Sequence, residues 1–442
     1  MNIPRPYKDG ASVALVFMLV AAALVEARPL WLDEILQLMM TRMPSAGEML
    51  GEIPKNLGAS PLGYLIQQAT LRVTGFSMAY ARLPEVLFGG GAVFIVALLA
   101  DALGMRWPWV SASLFALFPL TLRYADESRI YAPALFFSVL ATYLYLRMAK
   151  SPRLWTATPY TLALVAAVYT QPYALSVGLA HVAWSATEKD RKATAAGVLC
   201  LFAAGAAYLP WFLWSRSVWT RVIHEQGLQF SFSPHLLAMT FREILGAGYW
   251  GSGMLLILAC FAVMRGTLEA RTRNLLGLLI LLPLIVGLAA DAWFGYVFAV
   301  RQFLWVLPAL ALTGAAAIET RRRGAFVVAG LLAGICVMQS YKYFTSPSEN
   351  WQAASVTAQK EVGADGCFRS VPDDHVRYYA FFEPELKKRT CWAAAPRVVL
   401  AISPDGTAEE WQRTIHQLTF DGYANPQETT DGKFRILTFI RP

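Results

Sequence analysis

Two short charged segments interrupt an otherwise apolar sequence, and both carry residue types that do chemistry. Trp31-Leu32-Asp33-Glu34 sets two adjacent carboxylates beside a tryptophan, just after the first apolar block. Arg123-Tyr124-Ala125-Asp126-Glu127-Ser128-Arg129-Ile130-Tyr131 places four charges within seven residues of a long apolar stretch. A carboxylate can take a proton from a hydroxyl. A guanidinium grips phosphate-like oxygens at two points. A third segment, Tyr296 to Phe303, offers Arg301 at the start of another apolar block. Each has a plainer alternative: a solvated helix start for Asp33-Glu34, a self-satisfied ion-pair network for 123–131, and an interfacial snorkelling arginine for Arg301. Charges beside or inside apolar helices are costly, which makes them functional candidates.

The elements that must hold these groups are membrane helices. The chain has 442 residues, of which 56% are hydrophobic and only 15% charged, with a net charge of +8. A typical soluble domain is about 25% charged, so an ordinary soluble or disordered protein is excluded. Apolar blocks predict eleven spans, near 11–27, 84–103, 108–123, 132–148, 157–171, 173–187, 195–214, 247–264, 275–291, 297–317 and 325–343. The pair around Pro172 can also be divided differently. The first block lacks a small-residue cleavage site and reads as a retained helix.

Arg5 and Lys8 precede the first span. Arg106, then Arg147, Lys150 and Arg153, then Lys189, Arg191 and Lys192, then Arg265, Arg271 and Arg273, then Arg321 to Arg323 fill the even-numbered turns. With eleven spans all fall on one face, which the positive-inside rule makes cytoplasmic together with the N-terminus. Both acidic segments then lie on the opposite, outer face. Residues 61–75 are too short to span, at about 22 Å, and carry Gln67, Gln68 and Arg72. They are expected to form an interfacial helix within a long first outer loop, 28–83. The outer loop 215–246 brings Arg216, Arg221, His224, Glu225, Arg242 and Glu243, read as solvated.

After residue 343 the composition turns polar and mixed. Ser346-Pro347-Ser348-Glu349 and Thr407-Ala408-Glu409-Glu410 read as helix starts, and runs near 367–371, 397–402 and 434–440 as strands. Residues 344–442 are therefore expected to form a small extracytoplasmic α/β domain, with 1–343 as the membrane domain. Its aromatics (Trp351, Tyr378, Tyr379, Phe381, Phe382, Trp392, Trp411) serve either its core or sugar stacking. Cys200, Cys260 and Cys336 fall in apolar helices; Cys367 and Cys391 share the outer domain, where a disulfide is permitted. No Cys/His spacing suits zinc, and no ligand spacing supports a divalent ion between Asp33 and Glu127, although none is excluded.

The ordered series Trp31-Leu32-Asp33-Glu34, Ser60-Pro61-Leu62-Gly63-Tyr64, Ala81-Arg82-Leu83-Pro84 and Tyr124 to Tyr131 resembles the GT-C glycosyltransferases. It is most similar to the protein O-mannosyltransferase and lipid A aminoarabinose-transferase branch. Tyr169-Thr170-Gln171-Pro172-Tyr173, Arg301 and Trp351 continue the likeness over nearly the whole chain. The resemblance implies a polyprenyl-phosphate-linked sugar donor, an acceptor hydroxyl or phosphate on a lipid, glycan or protein, and an active site at the outer face of a bacterial inner membrane.

The resemblance also assigns roles. Asp33 takes the base position with Glu34 beside it, and Glu127 and Arg129 match the second motif's acid and arginine. Independently of the resemblance, Arg129 or Arg301 can hold the donor phosphate, and Arg123, Asp126, Tyr131 and Tyr64 are further candidates for the substrate-binding set. Lys55 is the nearest stand-in for a family lysine where Ala59 stands. Gln171 replaces a common histidine, and Gln302 a common tyrosine. A glycosyl phosphate carries its own leaving group, so a base and phosphate-holding cations suffice, and a single displacement inverts the anomeric centre. No cofactor and no nucleic acid is implied. A lipid-linked-sugar transporter and a non-catalytic scaffold with a binding outer domain are the competing readings.

Overall fold

Among the described residues each of the eleven predicted spans overlaps helical structure, because apolar runs lie between proline, glycine and polar punctuation, although fewer than eleven helices are long enough to cross a membrane on their own. The computed structural model describes all residues except 1–3, 57–58, 227–233, 295–299, 347–348, 391–394 and 425. In order, the helices are α1 (Arg5–Leu24), α2 (Leu32–Thr41), α3 (Ala46–Glu52), α4 (Pro61–Thr74), α5 (Met78–Ala102), α6 (Pro108–Leu117), α7 (Pro119–Ala125) and α8 (Tyr131–Lys150). They continue as α9 (Leu154–Thr170), α10 (Leu175–Thr187), α11 (Arg191–Gln226), α12 (Pro234–Glu243), α13 (Gly248–Met264), α14 (Ala270–Phe294), α15 (Leu307–Ile318) and α16 (Arg323–Thr345). Single-turn 3-10 segments occur at Ile53–Lys55 and Pro172–Ala174, and a longer one at Val300–Val306.

By length and composition seven helical segments among the described residues can cross a membrane, or eight if the bent pair 235–243 and 248–264 counts as one span. The chain is an integral, multi-pass membrane protein. The expected third span, 108–123, is not one helix. Pro119 lacks an N–H and its ring clashes with the preceding turn, so the chain breaks at Phe118, which is extended (φ −60°, ψ 126°). The ten residues of α6 reach about 15 Å. The Leu120 N–H, freed by the break, donates to the Leu245 carbonyl at 3.2 Å.

The chain divides into two compact units, residues 1–25 with 40–343 and residues 26–39 with 344–442. Within the first unit the basic turns meet. The Trp107 N–H donates to Glu319 Oε1 at 2.9 Å, the Arg321 guanidinium lies 5.2 Å from the Trp107 ring, and Trp184 Nε1 donates to the Arg271 carbonyl at 2.9 Å. Arg106 follows the C-terminal end of α5 and Lys150 ends α8, whereas Arg82 and Tyr131 lie at their N-terminal ends. At 1.5 Å per residue these ends are about 30 Å apart.

The second unit is a four-stranded sheet covered on both faces. Its strands are β1 (Gly366–Val371), β2 (Arg397–Ile402), β3 (Gln427–Asp431) and β4 (Phe434–Ile440), in the order β1-β2-β4-β3. β1 and β2 are parallel, and the β2–β4 and β3–β4 pairs antiparallel. One face packs Val398, Leu400, Leu437 and Phe439 with Leu418 of α20 (Ala408–Phe420). The other buries Phe368 and Phe434 with Trp351 of α17 (Trp351–Val362) and Tyr379 of α18 (Val376–Phe382), whose rings meet edge to face. Short α19 (Glu385–Lys388) follows.

Thr407 and Glu410 form the expected capping box of α20. The other expected start is displaced: Asn350, not Ser346, caps α17 by accepting from the Ala353 N–H. Pro347 and Ser348 of that motif lie outside the described residues. Cys367 is disulfide-bonded, and Cys391 and Trp392 lie outside the described residues. Trp351, Tyr378 and Tyr379 serve the domain core.

Burial depresses the pKa of His375, although Asp374, Asp405 and Glu410 act against it. Its Nδ1 lies 2.8 Å from Ser403 Oγ. An unfolded histidine titrates near ~6.5, so below that pH the unfolded chain binds more protons than the folded one. The stability held above this point is therefore lost as pH falls through it. Thermal unfolding of the second unit, followed by tryptophan fluorescence at pH 7.5 and 5.5, is expected to show an acid-dependent drop that His375→Gln removes.

Candidate active site

The break at Phe118 creates the site's frame. The short helix α7 ends at Ala125 and α8 begins at Tyr131, so residues 126–130 form a turn between them. That turn is almost entirely buried. Asp126 lies 3.8 Å from Arg82 Nη1, each with 1% of its side chain exposed. Arg82 also donates to the carbonyl of Val25 at the end of α1. Glu127 Oε1 accepts from Arg123 Nε at 2.7 Å and from the Tyr343 hydroxyl at 2.7 Å. Glu127 Oε2 is buried with no hydrogen-bond partner among the described residues. A buried polar atom in that state costs about 1–3 kcal/mol, which a fold sustains only for a reason.

Arginines and aromatic rings complete the cluster. The Arg123 guanidinium lies 4.9 Å from the Tyr343 ring and 5.5 Å from the Tyr124 ring. Arg129 lies 5.7 Å from the Tyr131 ring, and Tyr124 and Tyr131 meet edge-on at 4.7 Å. Arg301, in the 3-10 segment Val300–Val306, acts electrostatically on the Tyr124 hydroxyl. Glu85 adds a further buried acid on α5. Among the described residues, no three His, Cys, Asp or Glu side chains are grouped so as to hold a metal ion.

Helix α4 braces this turn. Gln67 Nε2 and Ser128 Oγ both donate to the Ala81 carbonyl at 3.0 Å, and Gln67 also donates to Ser128 Oγ. A Cβ on Gly63 would lie 2.5 Å from Ile130 Cγ2. Nothing larger than glycine lets α4 approach the turn this closely. A Cβ on Gly89 of α5 would meet Ala125 Cβ at 2.7 Å. Gly63→Ala is expected to push the acidic turn off α4 and lower stability by about 1–3 kcal/mol, read as a lower unfolding temperature.

The other expected residues each have their own surroundings. Tyr64 is buried and its hydroxyl accepts from Asn56 Nδ2 at 2.7 Å. Lys55 is exposed and pairs with Glu52 at 2.6 Å. Asp33 and Glu34 belong to the second unit, in the first turn of α2. Glu34 is fully buried and its Oε2 accepts from the Trp31 N–H at 3.3 Å, which fastens the helix start. Asp33 stays partly exposed, and its charge acts on the Tyr378 hydroxyl.

Sequence reasoning missed Arg82, Glu85 and Tyr343 as site residues. Arg82 and Glu85 had a signal, as two charges opening an apolar helix. Tyr343 had none, since a tyrosine near the end of a span is the ordinary interfacial choice.

A polytopic bundle with a buried charged turn at one end, basic turns at the other and a small α/β unit after the last helix defines a membrane protein of the GT-C-like fold. ArnT from Cupriavidus metallidurans, bound to undecaprenyl phosphate, shares that fold at TM-score 0.58 and 15% identity, over 97% of both chains. The oligosaccharyltransferase AglB from Archaeoglobus fulgidus, in complex with an inhibitory peptide and a dolichol-phosphate, matches at TM-score 0.54 and 11% identity. That match covers 96% of this chain and 74% of AglB. An oligosaccharyltransferase from Archaeoglobus fulgidus in complex with zinc and sulfate matches at TM-score 0.55 and 11% identity, over 95% of this chain and 72% of that chain. At these identities the likeness establishes the fold. No family model and no curated protein matches the chain.

Proposed function

We propose that this chain is a membrane glycosyltransferase that moves a sugar from a polyprenyl-phosphate donor to an extracytoplasmic hydroxyl or phosphate, with inversion. The observation that carries the reading is the buried turn 126–130, which holds Asp126 against Arg82 and Glu127 against Arg123, with Arg129 buried in the same turn. Structures of this fold hold undecaprenyl phosphate and dolichol-phosphate, which supports a lipid phosphate as the shared donor chemistry.

In this reading Arg129 and Arg301 hold the donor phosphate and disperse the charge of the departing carrier. Tyr131, Tyr64 and Asp126 shape the binding site, and Lys55 lies on the first loop as a further cation. Asp33 is the base that takes the acceptor's proton. Glu34, whose carboxylate closes the α2 start, supports it. The basic turns face the cytoplasm of a bacterial inner membrane and the acidic turn faces outward.

Lipid mass spectrometry of membranes from a deletion strain and from an Asp33→Asn strain tests this. Build-up of one glycosylated carrier lipid in both supports transfer and names the donor. An unchanged carrier pool returns the protein to a scaffold role, and build-up in the deletion alone points to transport or to a different base.

A further inference from the structure

The two oxygens of Glu127 have opposite surroundings. Oε1 takes two donors, Arg123 Nε and the Tyr343 hydroxyl, each at 2.7 Å. Oε2 has none among the described residues and is buried. The two donors come from different elements, α7 and the end of α16, and are locked to each other by the guanidinium lying 4.9 Å from the tyrosine ring. The plane of the carboxylate is thereby fixed from one side, and its second oxygen is presented in one direction. A carboxylate oxygen can only accept and repels a phosphate, so its complement is a neutral or cationic donor. Arg123 has 36% of its side chain exposed, which marks the side from which a ligand reaches the pair.

We propose that Glu127 Oε2 accepts a hydrogen bond from a hydroxyl of the sugar carried on the lipid phosphate, and that Tyr343 and Arg123 are positioning residues for it. This rests on the transferase reading. It gives Glu127 a different task from Asp33: Glu127 reads the sugar and Asp33 takes the acceptor's proton. It also divides the arginines of the turn, because Arg123 is committed to the carboxylate and leaves the phosphate to Arg129 and Arg301.

The test compares binding of bare undecaprenyl phosphate with undecaprenyl phosphate esterified to mannose, glucose, arabinose or 4-amino-4-deoxyarabinose. The full-length protein in nanodiscs is used as wild type, Tyr343→Phe and Glu127→Gln. The expected result is a loss of about 10- to 100-fold for the preferred glycosylated lipid in Glu127→Gln, a smaller loss in Tyr343→Phe, and an unchanged affinity for the bare carrier in both. Equal losses on bare and glycosylated lipid, or no loss on either, overturn the proposal. Wild type that binds bare carrier as tightly as every glycosylated one overturns it while leaving the lipid-phosphate reading standing. Wild type that binds neither class overturns the transferase reading itself. Tyr343→Phe keeps the ring beside Arg123, so it decides the matter if Glu127→Gln proves unstable.

Discussion

Purified Asp33→Asn protein is expected to transfer sugar about 10²- to 10⁴-fold more slowly than wild type, the usual contribution of one positioned base. The loss should fall on kcat, with the KM for the lipid donor nearly unchanged. Asparagine keeps the shape of aspartate and its hydrogen-bonding oxygen, so a drop in kcat alone isolates the missing proton acceptor. Glu34→Gln provides the contrast. Glu34 is buried and its carboxylate accepts from the Trp31 N–H, so its replacement is expected to loosen the start of α2 and lower stability first. A steady-state assay beside a thermal unfolding curve separates the two. Wild-type kcat in Asp33→Asn would move the base elsewhere.

Arg82→Met is expected to cost about 3–5 kcal/mol, the range for breaking a buried ion pair from one side. Arg82 and Asp126 are each 1% exposed and 3.8 Å apart, and Arg82 also serves the Val25 carbonyl at the end of α1. Methionine fills the volume but removes the guanidinium that faces the buried Asp126 carboxylate. The double variant Arg82→Met/Asp126→Asn should regain part of the loss, since the buried charge is gone from both sides. Additive losses in chemical or thermal unfolding would deny the coupling.

The membrane helices were legible because apolar runs and their punctuation are written directly into the chain. The break between α6 and α7 was not, although Pro119 was in view: a continuous apolar run hides a kink that tertiary packing stabilises. β3 escaped notice because Gln427 to Asp431 is polar throughout, and its strand form comes from pairing with β4. At the site, Asp126, Glu127 and Arg129 stood out as charges where water is scarce. Asp33 and Glu34 are indistinguishable as neighbours in a sequence, yet the fold spends one on a helix start and leaves the other partly exposed. Arg82 was quoted as part of a motif without being read as a partner, because its counter-ion lies 44 residues away in the chain.

The second unit is assembled from two pieces of chain separated by residues 40–343. Residues 26–39 are synthesised first and carry Leu30, Ile35 and Leu38, all buried in the finished protein. At ~5–20 residues per second, their partners in 344–442 emerge only after about 15–60 s of further translation. Through that interval the segment is an apolar stretch with no completed core of its own, within reach of chaperones and proteases. Biogenesis therefore has a built-in checkpoint: the first segment after α1 is protected only once the last hundred residues have been delivered.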